Sequence, residues 1–179
     1  LSSPAPSAYL GEMFLFEDET EICLFPPLFC WCLSNQLINK ILIDQTLNRL
    51  EDLIYRVPGI LKSMDENFCS QKPSATKWSK KEILGHLIDS ATNNHHRFVR
   101  GQFEDVPDIT YDQTNWVEHG YYQTMNTHEL IEFWTLYNRQ LKNLMQRMPP
   151  EVFSREVKRA GEIVTLKYLV EDYVVHLEH

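Results

Sequence analysis

Histidine is the commonest metal-binding side chain, and His86, His176 and His179 lie in segments whose apolar residues recur at helical spacing. His176 belongs to the stretch 165–179, in which apolar residues recur at helical spacing. On a helical wheel His176 lies about 60° from Tyr173, close to the inward stripe of this predicted helix. An inward imidazole needs a partner, so the pattern predicts either a hydrogen bond to a main-chain carbonyl or a bond to a metal ion.

His86 lies in the first half of another predicted helix, and a polar stripe of Ser90, Asn93 and Arg97 follows it on the same side. It lies roughly a third of a turn from the centre of the apolar stripe, which predicts a site at the edge of a bundle. A hydrogen-bonded or exposed histidine is the alternative to a metal ligand. Asn93 and Arg97 are candidate substrate-binding residues, and a solvated polar face is the alternative for them.

A further histidine pair follows on the same helix. By periodicity His95 faces inward as well as His86 does. We predict that His95 is a buried histidine hydrogen-bonded across the bundle, with His96 and Arg97 nearer the surface.

Four helices account for most of the chain from Asn35 onward. Their apolar stripes are Ile43, Leu47, Leu50, Ile54 and Val57; Leu84, Leu87, Ala91 and Phe98; Leu130, Phe133, Trp134, Tyr137, Leu141, Leu144, Met145 and Met148; and Leu166, Leu169, Tyr173 and Leu177. We expect the first helix to be interrupted by a late kink at Pro58 and Gly59 and to continue briefly through Ile60, Leu61 and Met64. Ser79 and Asn126 are the predicted N-caps of the second and third helices.

The segment 104–125 has aromatic residues without a period, which predicts a long crossover between helices two and three. The segment 155–165 has Gly161 between β-branched residues, so a small hairpin is expected there. The sequence therefore predicts an all-α protein, a four-helix bundle with a long crossover between helices 2 and 3.

Composition narrows the function classes. The formal net charge is −8, which argues against a nucleic-acid partner or an anionic membrane surface. The cysteines form no CxxC pair, so a disulfide framework and a zinc ribbon are both unsupported, and a cytoplasmic location is expected. They are Cys23, Cys30, Cys32 and Cys69.

The first residues differ in composition from the rest. Residues 1–34 combine a Ser/Pro/Ala-rich start, an acidic stretch and an apolar run broken by Pro26 and Pro27. Neither a secretory signal nor a membrane span fits this order. We expect an N-terminal extension outside the fold, or less favourably a docking segment, and a folded domain spanning residues 35–179.

Two motifs carry a family resemblance. Residues 78–90 read WSKKEILGHLIDS, and residues 168–179 read YLVEDYVVHLEH. Together they resemble the DinB-like superfamily, in particular its YfiT-type metal-dependent hydrolases. The likeness covers residues 35–179 and is most specific at the W-S-x-x-E-I-L-x-H-L entry of helix two and the D-Y-x-x-H pattern of helix four.

The resemblance implies a metal held by one histidine of helix two and two of helix four, the latter spaced H-x-x-x-H. His86 and His176 match these positions, and the third ligand is expected one residue beyond His179. On the wheel His179 lies roughly 100° from the inward stripe, so we treat it as a weaker substitute. We favour a chain that stops just short of its last ligand.

The resemblance further implies a divalent cofactor, with zinc the first choice and nickel also suited to imidazole ligands. It implies a small-molecule substrate, an enzyme that transfers a low-molecular-weight thiol or hydrolyses a small molecule, and a homodimer. The alternative is a non-catalytic helical bundle that acts as a dimeric binding module through its aromatic crossover.

Overall fold

The computed structural model describes residues 27–179, with side chains from residue 37 onward. In chain order its elements are α1 (Pro27–Lys62), α2 (Glu66–Ser70), α3 (Lys80–Arg100), α4 (Gln113–His119), α5 (Thr127–Arg147), β1 (Glu156–Arg159), β2 (Glu162–Thr165) and α6 (Leu166–Glu178). The predicted extension at residues 1–34 falls mainly on residues outside this range and stays a prediction. None of the described helices is long and apolar enough to cross a membrane.

The four long helices α1, α3, α5 and α6 form the predicted bundle. Helix α5 packs against both α1 and α3, and α6 packs against α1 and α3. The short helices α2 and α4 were not predicted; α2 lies between the first two long helices and α4 lies inside the crossover. The all-α class and the long crossover between the second and third bundle helices are confirmed.

Helix α1 continues through the expected interruption. Pro58 lies inside the helix, which ends only at Lys62. A proline removes one backbone donor, but Val57 before it and Leu61 after it both pack against the apolar core. Tertiary packing on both sides of Pro58 therefore stabilises the helix, and the predicted continuation beyond Gly59 is present as far as Lys62.

Both predicted caps are present. The Ser79 hydroxyl accepts a hydrogen bond from the Glu82 amide at 3.2 Å, and the Glu82 carboxylate accepts one from the Ser79 amide at 2.8 Å. This reciprocal pair satisfies two of the amides that a helix start leaves without partners. Asn126 caps α5 through its side-chain oxygen, which accepts hydrogen bonds from the amides of His128 and Glu129. The start of each helix is thus fixed locally.

The stripe predicted for the third bundle helix is largely buried, with one error. Trp134, Leu141 and Met145 are almost fully buried, as predicted. Phe133, however, is 53% exposed and stacks on Tyr137 with ring centroids 5.6 Å apart. Its position is on the outer margin of the stripe, where an aromatic ring can cover a neighbour without entering the core.

The crossover is fastened to α3 by Tyr122. Its hydroxyl donates to the Asp89 carboxylate, and its ring lies where a side chain on Gly85 would be. A Cβ at Gly85 would come within 2.1 Å of that ring. Glycine at this position is therefore what allows the crossover to approach the helix.

The predicted hairpin is confirmed by the antiparallel pairing of β1 and β2. Arg159 pairs with Glu162, so the turn consists of Ala160 and Gly161, both with positive φ (50° and 88°). Positive φ at both central residues is the conformation that matches the twist of a tight hairpin. The Ile109 amide of the crossover donates to the Lys158 carbonyl at 3.0 Å, which places the hairpin beside the crossover.

Candidate metal centre

His86 of α3 and His176 of α6 meet at the edge of the bundle. Their ring centroids are 5.2 Å apart and the rings are nearly perpendicular, at 85°. The indole of Trp78 lies on another side of His86, also with a 5.2 Å centroid separation. His86 is 7% exposed and His176 is half-buried. The fold thus brings together two histidines that are 90 positions apart in the sequence.

Both imidazoles are neutral at pH 7. Burial lowers the pKa of His86 to about 4, and the nearby His176 lowers it further in the same direction. The pKa of His176 is also lowered, mainly by burial and against the opposing effect of Asp172. A neutral imidazole keeps the nitrogen lone pair that binds a metal ion, so the charge state of the pair suits a divalent cation.

One ring nitrogen of His86 lacks a partner. Nδ1 is buried and has no hydrogen bond within the part of the chain that the structure describes. A buried polar atom without a partner carries a desolvation penalty, which a bound ligand would remove. Two neutral imidazoles, one of which has a buried nitrogen without a partner, therefore fit the donor set of a zinc-type ion.

A cavity of about 370 Å³ opens beside these histidines, and we call it the histidine cavity. It is bounded by α3, the crossover, the hairpin turn and α6. Its lining residues are His86, Ser90, Asn94, Arg97, Thr110, Tyr111, Gln113, Arg159, Ala160, Asp172, Tyr173 and His176. A volume of this size admits a small molecule next to the histidine pair.

His179 is not gathered into a metal site. It is exposed at the end of α6, and within residues 37–179 no group of three His, Cys, Asp or Glu side chains is arranged to hold a metal ion. His86 and His176 therefore have the predicted proximity, and the third ligand stays a prediction.

The two predicted substrate-binding residues differ in placement. Arg97 lines the histidine cavity, whereas Asn93 does not, and its amide donates to the Asp89 carbonyl at 2.9 Å. Neither is on a solvated face. The expectation that Arg97 lies nearer the surface is wrong: it is 4% exposed, because the crossover covers it and accepts its hydrogen bonds through the Ile109 carbonyl.

His95 makes the predicted hydrogen bond across the bundle, although its side chain is half-buried rather than buried. Its Nδ1 lies 3.1 Å from the Tyr137 hydroxyl on α5, which makes a hydrogen bond across the bundle. His96 is exposed, also as predicted. His95 is therefore a structural histidine separate from the His86–His176 pair.

Several residues that line the histidine cavity are not predicted from the sequence. Asp172 could have been found, because it lies one helical turn before His176 and shares its face. Asn94 lies about 80° from His86 on the wheel of α3, outside the predicted stripe. Tyr111 and Arg159 come from the crossover and the hairpin turn, where periodicity carries no signal.

A family model described as the DinB superfamily matches residues 49–179, which include both histidines and the whole cavity. The chain belongs to the DinB superfamily. The resemblance expected from the two motifs is thereby confirmed.

Curated relatives in Bacillus are similar over a shorter region. The chain is 26% identical over 82 residues to a protein of Bacillus mycoides (strain KBAB4) and to one of Bacillus cereus (strain G9842), each named "Putative metal-dependent hydrolase". The match covers 45% of this chain and 47% of each relative. It thus spans about half the length of these curated relatives.

Solved structures show that the DinB fold is shared. YfiT from Bacillus subtilis, described as a probable metal-dependent hydrolase with an unusual four-helix bundle topology, matches with a TM-score of 0.70 at 22% identity. That match covers 76% of this chain and 80% of YfiT. A mycothiol-dependent maleylpyruvate isomerase matches with a TM-score of 0.60 at 14% identity, over 76% of this chain and 59% of the isomerase.

Proposed function

We propose that this protein is a metal-dependent enzyme that transfers a low-molecular-weight thiol or hydrolyses a small molecule in the histidine cavity. His86 and His176 supply two ligands to a divalent ion, zinc in the first instance and nickel as the alternative. The observation that supports this most is the approach of two neutral imidazoles from different helices, one with a buried nitrogen that lacks a partner. The names of the Bacillus relatives point to the same class.

The residues around the histidine cavity have separate roles in this proposal. His86 and His176 hold the ion at one end of the cavity, and a bound divalent ion lowers the pKa of a water or thiol bound to it. Trp78 packs on His86 and restricts the orientation of its ring. Arg97 lines the same cavity and is placed to bind and orient a substrate there.

The thiol assignment has a narrower basis. The isomerase that shares this fold is mycothiol-dependent. At 14% identity, its similarity to this chain supports a shared architecture alone. Hydrolysis is supported by the names of the Bacillus relatives and of YfiT. Both reactions would use His86 and His176 as metal ligands and the same small-molecule cavity, so they share the same first test.

Metal content tests the proposal. We expect untagged full-length protein to contain close to one equivalent of metal by inductively coupled plasma mass spectrometry, and His86→Ala to lose it. His128→Ala is the matched control, since His128 is exposed at the start of α5. Absence of stoichiometric metal in the parent protein, or retention of metal in His86→Ala, would overturn the proposal and favour a non-catalytic binding module.

The third ligand needs its own variant. In the proposal His179 supplies a weaker third nitrogen, so His179→Ala should lower metal affinity by less than His86→Ala does. Competition with a chromogenic zinc chelator measures both affinities. An unchanged affinity in His179→Ala would remove His179 from the ligand set and leave the assignment of His86 and His176 intact.

A further inference from the structure

Arg97 is a buried cation without a carboxylate partner. It is 4% exposed, and within the described part of the chain no Asp or Glu oxygen lies within 4.0 Å of its guanidinium nitrogens. Its nitrogens donate instead to neutral oxygens, those of the Ile109 carbonyl and the Asn94 side chain. Arginine is rarely this buried unless it is paired, so Arg97 requires an explanation that packing does not provide.

The guanidinium of Arg97 has N–H donors that no oxygen of the described residues occupies. It carries five N–H groups in a planar fork. Contacts with protein oxygens occupy three of them, at 3.1, 2.8 and 3.2 Å. Two N–H groups therefore remain on a side chain that lines the histidine cavity. Two donors in one plane are the arrangement that a carboxylate accepts.

The charge balance of the cavity points the same way. Its lining contains the cations Arg97 and Arg159 and the anion Asp172. Asp172 forms an ion pair with Arg159, so these two charges cancel. Among the Asp, Glu, Lys and Arg side chains of the described lining, Arg97 is therefore the one left without an opposite charge beside it. The carboxylate of a ligand would pair with it.

We propose that the histidine cavity binds the carboxylate of a small monoanionic substrate through the two remaining N–H groups of Arg97. Arg159 and Asp172 neutralise each other at the same cavity, which leaves Arg97 as the charge that the carboxylate pairs with. In the metal-free protein, phosphate carries close to two negative charges against the single uncompensated charge of Arg97, so we expect it to bind less tightly. This assignment names the substrate class for the proposed function and rests on it, since the same cavity holds the metal ligands.

Anion binding can be measured without any metal. We choose lactate as the probe, lactamide as its uncharged counterpart and inorganic phosphate as the alternative anion. Each is titrated into the full-length, chelator-treated protein and followed by ¹H–¹⁵N correlation spectra, which include the Arg97 Nε–H signal. We expect saturable shifts with lactate, none with lactamide and weaker binding of phosphate.

Variants identify the responsible group. Arg97→Gln should weaken lactate binding about tenfold or more, the loss expected for a charge-assisted hydrogen bond. Arg139→Gln is the matched control, since this exposed arginine on α5 is far from the cavity lining and should leave the affinity unchanged. If Arg97→Gln does not give a folded spectrum, Arg159→Gln removes the second cation from the half-buried mouth and should weaken binding severalfold.

The outcomes separate the two proposals. Lactate binding is measured on chelator-treated protein and metal content on the protein as purified, so the two results are independent of each other. Equal effects of lactate and lactamide, tighter binding of phosphate than of lactate, or full affinity in a folded Arg97→Gln protein would overturn the carboxylate assignment. None of these results would alter the metal measurement that tests the enzyme itself.

Discussion

Helices α3 and α5 have the same length, 21 residues, and both begin at a side-chain cap, yet they bury different chemistry. The buried face of α5 is mainly apolar: Leu130, Ile131, Trp134, Leu141 and Met145. The buried face of α3 includes a series of polar side chains: Lys81, Glu82, His86, Asp89, Ser90, Asn93, Asn94 and Arg97. Apolar burial stabilises a fold, whereas polar burial costs desolvation unless each group finds a partner.

The difference separates stability from function within one bundle. On α5 the buried amide of Asn138 accepts a hydrogen bond from the Tyr173 hydroxyl at 2.6 Å, so its carbonyl oxygen is satisfied by α6. Each helix also has two buried polar atoms without partners among the described residues: the Thr127 hydroxyl and the Trp134 indole nitrogen on α5, and His86 Nδ1 and one Asp89 oxygen on α3. The two on α3 belong to groups that titrate, whereas the two on α5 do not. We infer that α5 mainly holds the bundle together, whereas α3 keeps costly polar groups for the site and for the crossover.

The largest expected effect lies on α5. Trp134→Ala should reduce the free energy of unfolding by about 3–5 kcal/mol, because it empties a fully buried position. Urea denaturation of metal-free protein measures this loss. Phe133→Ala, one residue earlier but exposed, should cost less than about 1 kcal/mol. Comparable losses in the two variants would contradict the assignment of the α5 stripe.

The next effect tests the contact between α3 and the crossover. Gly85→Ala should cost about 1–3 kcal/mol, since the added methyl group meets the Tyr122 ring. Gly59→Ala in α1 is the opposite control: nothing lies within 4 Å of its Cβ position, and alanine favours a helix by about 0.5–1 kcal/mol. Thermal denaturation should give shifts of opposite sign. A gain of stability in Gly85→Ala would mean that the crossover does not pack there.

A smaller loss is expected where α3 and α5 share a hydrogen bond. Tyr137→Phe removes the hydroxyl bonded to His95 and should cost about 0.5–1.5 kcal/mol. Metal content should not change, since His95 is distinct from the proposed ligands. Tyr55→Phe, at a highly exposed position, serves as the control and should leave the unfolding midpoint unchanged. Loss of metal in Tyr137→Phe would bring His95 into the site.

The last prediction concerns the buried carboxyl of α3. Burial raises the pKa of Asp89, and the hydrogen bond from Tyr122 partly opposes this. The folded carboxyl thus holds its proton more tightly than the unfolded one, so its contribution to stability is present below the unfolded pKa and is lost as pH rises through the folded pKa. Asp89→Asn has no such proton to lose and should gain stability relative to the parent protein between pH 4 and pH 7.

Urea midpoints of the metal-free proteins at the two pH values measure that gain. The expected difference is the smallest of the four because two opposing contributions set it. Asp105→Asn, on the exposed part of the crossover, is the matched control and should show no pH-dependent difference. The prediction for Asp89 fails if its advantage over the parent is the same at both pH values.

Local sequence signals were sufficient to predict the bundle helices, their caps and the two histidines that lie together. Apolar periodicity and capping act within a few residues along the chain, so Ser79, Asn126 and the four stripes identify the long helices without tertiary information. The motifs around His86 and His176 identified the family in the same local way. The helix wheel also placed His176 near the inward face and His86 at the edge of the bundle.

The surroundings of the two histidines and of Arg97 depend on contacts that form only in the tertiary structure. The crossover, which has no period, covers Arg97 and supplies its acceptors, so a residue expected nearer the surface is buried. The hairpin turn brings Arg159 to Asp172, and the cavity opens on the Asn94 side of His86 rather than the Asn93 side. Burial, pairing and charge depend on contacts between distant segments, and these contacts place two histidines and a buried arginine around one cavity.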